Sequence, residues 1–302
     1  MAQQHTDINR GGFIGKLPVF LQPYALLARI DRPIGTWLLL LPCYWAIAMA
    51  RPIENRGLAY TILMYILFAL GAIFMRSAGC VINDMWDRRF DSAVERTQHR
   101  PLASGELNMR QAFIFLFILL FLSFLIFLVL SPVAKIVAVL SLIPATFYPL
   151  AKRYTNWPQI ILGITFNWGA LLGWAAIKND LEWPAFWLWI GGIFWTLIYD
   201  TIYAHQDKKD DAKLGLKSTA LTLGDKTQAA ALFITAFMGV SFTIAGIVAH
   251  MGAFYYVALF IMVVFHALQL IRLDIDDAAQ CLRAFKQSRY AGWILLIGIW
   301  LG

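Results

Sequence analysis

Charge is scarce in this sequence: Asp, Glu, Lys and Arg make up only 14% of its 302 residues, where a soluble domain carries about a quarter. A chain that is 60% hydrophobic, with a mean hydropathy of +0.64, reads as an integral membrane protein. Cysteine is nearly absent as well. Cys43, Cys80 and Cys281 are odd in number and far apart, which excludes a disulfide framework and the paired spacing of a zinc site. The polar start MAQQHTDINRGGFIGK has no apolar core of the signal-peptide kind, so insertion is expected to rely on the first span. The formal charge of +7 does not mark a nucleic-acid binder. No basic patch stands apart from a membrane span, and basic residues of membrane proteins gather in cytoplasmic loops.

What the chain does have is long apolar runs. A helix needs roughly 20 apolar residues to cross the hydrocarbon. Runs of that kind predict nine spans, at about 34–50, 57–82, 111–130, 133–151, 158–177, 184–204, 227–249, 252–271 and 289–302. The expected fold is all-α and polytopic: a polar segment 1–33 with a candidate interfacial helix, then a single transmembrane domain over 34–302. Positive charge alternates sharply between the loops. Arg10, Lys16, Arg29 and Arg32 share one side with the loops 83–110, 152–157, 205–226 and 272–288, while Arg51, Arg56, Lys135 and Lys178 fall on the other. The positive-inside rule makes the first side, with the N-terminus, cytoplasmic. Trp157, Trp183, Trp187 and Trp189 sit near span ends as an interfacial aromatic belt.

The two longest cytoplasmic loops are also acidic. One follows span two and reads NDMWDRRFDSAVERTQHRPLASG; the other follows span six and reads YDTIYAHQDKKDDAKLGLKST. Asn83, Asp87 and Asp91 are spaced i, i+4, i+8, so a continuing helix sets them on one face. Asp200, Asp207 and Asp211 repeat this at i, i+7, i+11. Ordinary juxtamembrane charges balanced by Arg88, Arg89, Lys208 and Lys209 would explain one such Asp, but not two matched groups. Hard oxygen ligands gathered at a membrane surface point to divalent cations. Mg²⁺ is the best fit, because it is usually held by one or two carboxylates plus substrate phosphates. A calcium loop would need a glycine turn and a closing Glu that are missing.

Basic residues complete such a cage, and Arg96, Arg100, Lys152, Arg153 and Lys217 lie at the same predicted surface. Tyr148 and Lys152 in YPLAK are one helical turn apart. The expected ligand is a Mg²⁺-bound diphosphate with a long hydrocarbon tail. Arg76 lies inside span two, seven residues before Asn83. A charge at that depth costs about 2.5–3.5 kcal/mol, so its place needs a reason. Snorkelling or a structural pair is one; an anchor for an acidic second substrate below the diphosphate is the other.

The motif NDMWDRRFD (Asn83, Asp84, Asp87, Asp91) resembles the NDxxDxxxD signature of the UbiA superfamily of intramembrane aromatic prenyltransferases. Asp207 with Asp211 resembles its DxxxD motif, and Tyr148–Lys152 its YxxxK element. RIDRPIGTWLLLLP, MRSAGCVINDMWDRRFD, RTQHRPLASG and YPLAKRYTNWPQIILG are similar to the 4-hydroxybenzoate polyprenyltransferase branch of ubiquinone biosynthesis. This resemblance implies nine helices around a central cavity open to lipid, with a cytoplasmic cap from the two Asp-rich loops. It implies transfer of a polyprenyl group from its diphosphate to the ring carbon ortho to the phenol of 4-hydroxybenzoate. Two Mg²⁺ ions would be held by Asn83, Asp87 and Asp91 and by Asp207 and Asp211, with Asp84 also catalytic. Arg96, Tyr148, Lys152, Arg153 and Asp200 would bind the diphosphate or the aromatic pocket, and Arg76 the benzoate carboxylate. The deprotonating base is not identified; Asp200 and Asp207 are candidates.

Two alternatives remain. Other branches of the superfamily prenylate homogentisate, naphthoate, haem or chlorophyllide, and the aspartates would serve each of them. A secondary transporter would place its site near the midplane on broken helices with an inverted repeat, whereas these acids cluster at one surface. A bacterial inner membrane is the expected location, because no Arg- and Ser-rich transit segment precedes the first span.

Overall fold

The computed structural model describes residues 8, 10–51, 57–94, 97–213 and 215–302, apart from the side chains at 149, 207, 209, 210 and 213. Among these residues the chain is all-helical. In order the α-helices are α1 (Gln22–Leu27), α2 (Ile34–Met49), α3 (Leu58–Asp91), α4 (Met109–Val129), α5 (Pro132–Leu140), α6 (Leu142–Phe147), α7 (Ala151–Tyr154), α8 (Pro158–Lys178), α9 (Trp183–Lys213), α10 (Thr219–Leu223), α11 (Thr227–Val248), α12 (Ala253–Ile271) and α13 (Ala278–Leu301). Six of them, α3, α4, α8, α9, α11 with the turn before it, and α12, contain stretches long and apolar enough to cross a membrane. Two shorter apolar stretches, Ile34–Met49 and Pro132–Phe147, join them.

One expected span is not a single helix. Residues 133–151 divide into α5, α6, a 3₁₀ turn Tyr148–Leu150 and α7. Pro144 has no N–H to give the Leu140 carbonyl, and its ring crowds that oxygen. The chain caps α5 at Ser141 instead.

Contacts divide the chain into two compact units, Met1–Trp37 with Ala69–Val129, and Leu38–Phe68 with Leu130–Gly302. In the first, Phe74, Ala78, Val81 and Met85 form one stripe of α3 at i, i+4, i+7, i+11. They share a core with Leu27, Leu102, Leu107, Ala112 and Leu119.

In the second unit, α9 packs against α8, α11 and α13, and α12 against α11 and α13. Small residues let these helices approach. A Cβ on Gly173 would lie 2.7 Å from the Cys43 carbonyl oxygen, and Gly169 lies against the Cys43 side chain. A buried polar chain also joins α8 to α9: Asn167 Nδ2 donates to Thr196 Oγ1 at 2.7 Å, and Thr196 Oγ1 lies 2.9 Å from the Tyr199 hydroxyl. Asn179 ends α8 in the left-handed region, and the Asp277 carboxylate caps α13 by accepting from the backbone of Ala279 and Gln280. The three cysteines are unbridged.

Candidate functional site

Both acidic motifs lie on helices that continue out of apolar stretches. Asn83, Asp84, Asp87 and Asp91 occupy the last turns of α3, and Asp200, Asp207 and Asp211 the second half of α9. Within the first motif the structure departs from the expected single face. Asn83 and Asp87 are exposed, whereas Asp84 and Asp91 are buried. At about 100° per residue, Asp91 lies about 80° from Asn83 but only about 20° from Asp84. It shares the Asp84 side.

That side is an ion-pair network. Arg29 Nη2 donates to Asp84 Oδ1 at 2.6 Å. Arg100 Nη1 reaches the same oxygen at 3.3 Å and the two Asp91 oxygens at 3.1 and 2.9 Å. The loop after α3 is folded back to bring Arg100 there: Thr97 Oγ1 donates to the Asp91 carbonyl and Arg88 Nε to the Leu102 carbonyl, each at 3.0 Å. Arg29 sits at φ +58°, a left-handed position. Burial lowers its pKa and the Asp84 charge opposes the shift. Asp84, expected to be catalytic, is buried here and enclosed by these two arginines. From sequence alone Arg29 is explained as a topogenic charge and Arg100 as one of several cage cations. Their signal was the RIDRP and RTQHRP stretches that flank a motif whose buried Asp needs a cation.

Deeper on α3, Arg76 is half-buried. Its Nη1 donates to Cys80 Sγ, and its Nε is buried with no hydrogen-bond partner among the described residues. Beside it, Ser77 Oγ donates to the Ala28 carbonyl at 3.2 Å. The Ala28 backbone thus lies against α3 at Ser77, one residue before the Arg29 that reaches Asp84.

In the second unit Lys152 Nζ pairs with the buried Asp211, 3.4 and 3.3 Å from its two oxygens. Lys217 N donates to the Lys152 carbonyl at 2.9 Å, tying the segment after α9 to α7. Tyr148 opens the 3₁₀ turn and is half-buried, as is Asp200 on α9; Arg153 is exposed. Arg96 and the Asp207 side chain lie outside the described residues.

Among the described residues no three His, Cys, Asp or Glu side chains converge as a metal cage. The donors present nevertheless fit Mg²⁺, which needs only one or two protein oxygens beside phosphate. Asn83 and Asp87 offer two, one turn apart on the exposed face of α3.

The chain is 49% identical over 291 residues to the "4-hydroxybenzoate polyprenyltransferase, mitochondrial" of Caenorhabditis elegans, covering 95% of this chain and 80% of that protein. It is 44% identical to the Homo sapiens protein of the same name, over 99% and 80% of the two chains. Among solved structures, the apo form of a UbiA homologue from Aeropyrum pernix K1 superposes with a TM-score of 0.71 at 24% identity, over 88% and 97%. A UbiA homologue from Archaeoglobus fulgidus bound to GPP and Mg²⁺ gives 0.61 at 16%, over 91% and 99%. At such identities these two speak for the fold alone. The profile of the UbiA prenyltransferase family matches residues 39–295, and the chain belongs to that family.

Proposed function

We propose that this protein transfers a polyprenyl group from its diphosphate to the ring carbon ortho to the phenol of 4-hydroxybenzoate, releasing diphosphate, in ubiquinone biosynthesis. The single observation that carries the reading is identity of 44–49% over nearly the whole chain to enzymes named for that reaction.

The site residues support it. Asn83 and Asp87 would hold one Mg²⁺ and Asp207 with Asp211 a second, Asp211 sharing its carboxylate with Lys152; Asp91 would join the first ion only by turning from Arg100. Bound Mg²⁺ would neutralise charge developing on the departing diphosphate. Lys152, Tyr148, Arg96 and Arg153 would add donors aimed at the same oxygens. The C–O bond breaks to leave an allylic cation, the electron-rich ring attacks it, and the ring proton is lost to a base for which Asp200 and Asp207 are the candidates. Arg76 would grip the benzoate carboxylate through paired N–H donors, a geometry lysine lacks. Its Nε, without a hydrogen-bond partner among the described residues and in an apolar segment, suits an anionic ligand.

The fold reading extends to nine crossings of one domain over 34–302: the six long apolar stretches, α2, the α5–α6 pair and the C-terminal half of α13. The basic and acidic loops would face the cytoplasm or its equivalent compartment. The relatives are named as mitochondrial, so the bacterial inner membrane expected from sequence has no support from them.

The test is incorporation of radiolabelled 4-hydroxybenzoate into lipid-extractable product by membranes containing this protein and a polyprenyl diphosphate. Transfer should require Mg²⁺ and vanish in Asp87→Ala. Transfer only to a different aromatic acceptor would move the protein to another branch, and no transfer to any acceptor would overturn the reading.

A further inference from the structure

Gly35 stands in the first turn of α2, where alanine would favour the helix more than glycine does. Its φ is not among the positive values, so conformational freedom does not explain it. Space does. A Cβ built on Gly35 would lie 2.5 Å from Arg76 Nε, 2.6 Å from Nη2 and 2.9 Å from Cζ. The guanidinium therefore fills the volume that any other residue at position 35 would claim. On its other edge Nη1 rests on Cys80 Sγ, a weak acceptor. No carboxylate pairs with Arg76 among the described residues. What fixes the guanidinium is the notch in α2 on one edge and a soft contact on the other.

We infer that Gly35 is a positioning residue for the aromatic acid: the missing side chain sets where the Arg76 guanidinium sits, and so how well it meets the substrate carboxylate. The inference rests on the reading of Arg76 given above. Its energetic logic is one-sided. The atoms a Cβ would strike are the far end of a flexible side chain, so Gly35→Ala relieves the clash by pushing Arg76 aside and leaves the backbone in place. The fold tolerates that movement; a carboxylate that requires two aligned N–H groups does not.

The test uses membranes holding the full-length protein as wild type, Gly35→Ala, Arg76→Lys and the double variant. Michaelis constants for 4-hydroxybenzoate and for the polyprenyl diphosphate are measured for each. Gly35→Ala should raise the constant for the aromatic acid on the order of tenfold to a hundredfold and leave that for the diphosphate within about twofold. The retained diphosphate constant also shows that the variant is folded. In the Arg76→Lys background the same glycine substitution should add little, because residues acting through one contact are not additive. An unchanged constant for the acid, equal losses toward both substrates, or full additivity in the double variant would overturn the inference while leaving the proposed function standing. Absence of transfer by the wild type to any carboxylate-bearing acceptor would overturn both.

Discussion

Arg29 reaches Asp84 across 2.6 Å from a left-handed backbone position, joining residues 55 apart in sequence. Arg100 meets the same carboxylate and also Asp91. Removing the shared acid strands the buried Arg29 guanidinium, while Arg100 keeps Asp91. Asp84→Ala should cost about 3–5 kcal/mol, the usual penalty for stranding a buried charge. Arg29→Ala should cost less, because Asp84 keeps Arg100. Thermal unfolding in detergent reads both variants. A loss for Asp84→Ala within the roughly 0.5 kcal/mol of a surface substitution would mean that the network does not anchor α3.

Lys152 and Asp211 pair at 3.3 Å, but the lysine side chain is 43% exposed. Solvent screening limits such a pair to about 0–1 kcal/mol. Lys152→Met should therefore scarcely change the unfolding temperature, yet reduce kcat about a hundredfold if the ammonium stabilises the leaving diphosphate. Parallel losses of stability and rate would assign Lys152 to structure instead.

Gly173 offers the opposite case to Gly35. A Cβ there would meet the Cys43 carbonyl at 2.7 Å, and a backbone atom cannot swing aside. Gly173→Ala should destabilise the protein by about 1–3 kcal/mol through overpacking, with both Michaelis constants unchanged in whatever fraction folds. Wild-type stability in this variant would show that α2 can slide on α8.

The Asp277 carboxylate accepts from the backbone N–H groups of Ala279 and Gln280, and those bonds hold its pKa below the ordinary value. A depressed folded-state pKa means the cap contributes fully above the unfolded value, near pH 4, and is lost as pH falls through the lower folded value. Asp277→Asn keeps a capping oxygen but removes this titration. Unfolding curves from pH 7 to pH 3 should show wild type approaching the Asn variant from above. A constant gap across that range would contradict the assignment.

Much of the fold was legible because the bilayer imposes it. Apolar runs such as Met109–Val129 have no alternative to a helix, and the i, i+4 spacing of Asn83 and Asp87 is consistent with α3 continuing past its apolar stretch, as it does. The break before Leu142 could also have been read, since Pro144 forbids the bond that a single span needs. The side taken by Asp91 was less accessible. It lies between two faces of α3, and which one it joins depends on Arg100, brought back by a loop whose folding no periodicity announces. Arg29 was hidden for a related reason. Ion pairs between residues 55 apart leave no local pattern, and a basic residue near a membrane already has the sufficient explanation of topology.

One uninterrupted helix carries both Arg76 and Asn83, and seven residues at about 1.5 Å each separate them by about 10 Å. That helix acts as a ruler. Lengthening it by a single residue would rotate one end against the other by about 100°, so substitutions along this stretch are conceivable where insertions are not. If Arg76 grips the acceptor carboxylate as proposed, an acceptor whose carboxylate and reacting carbon were spaced differently could not be accommodated by stretching the gauge; it would need its anion grip at another rung.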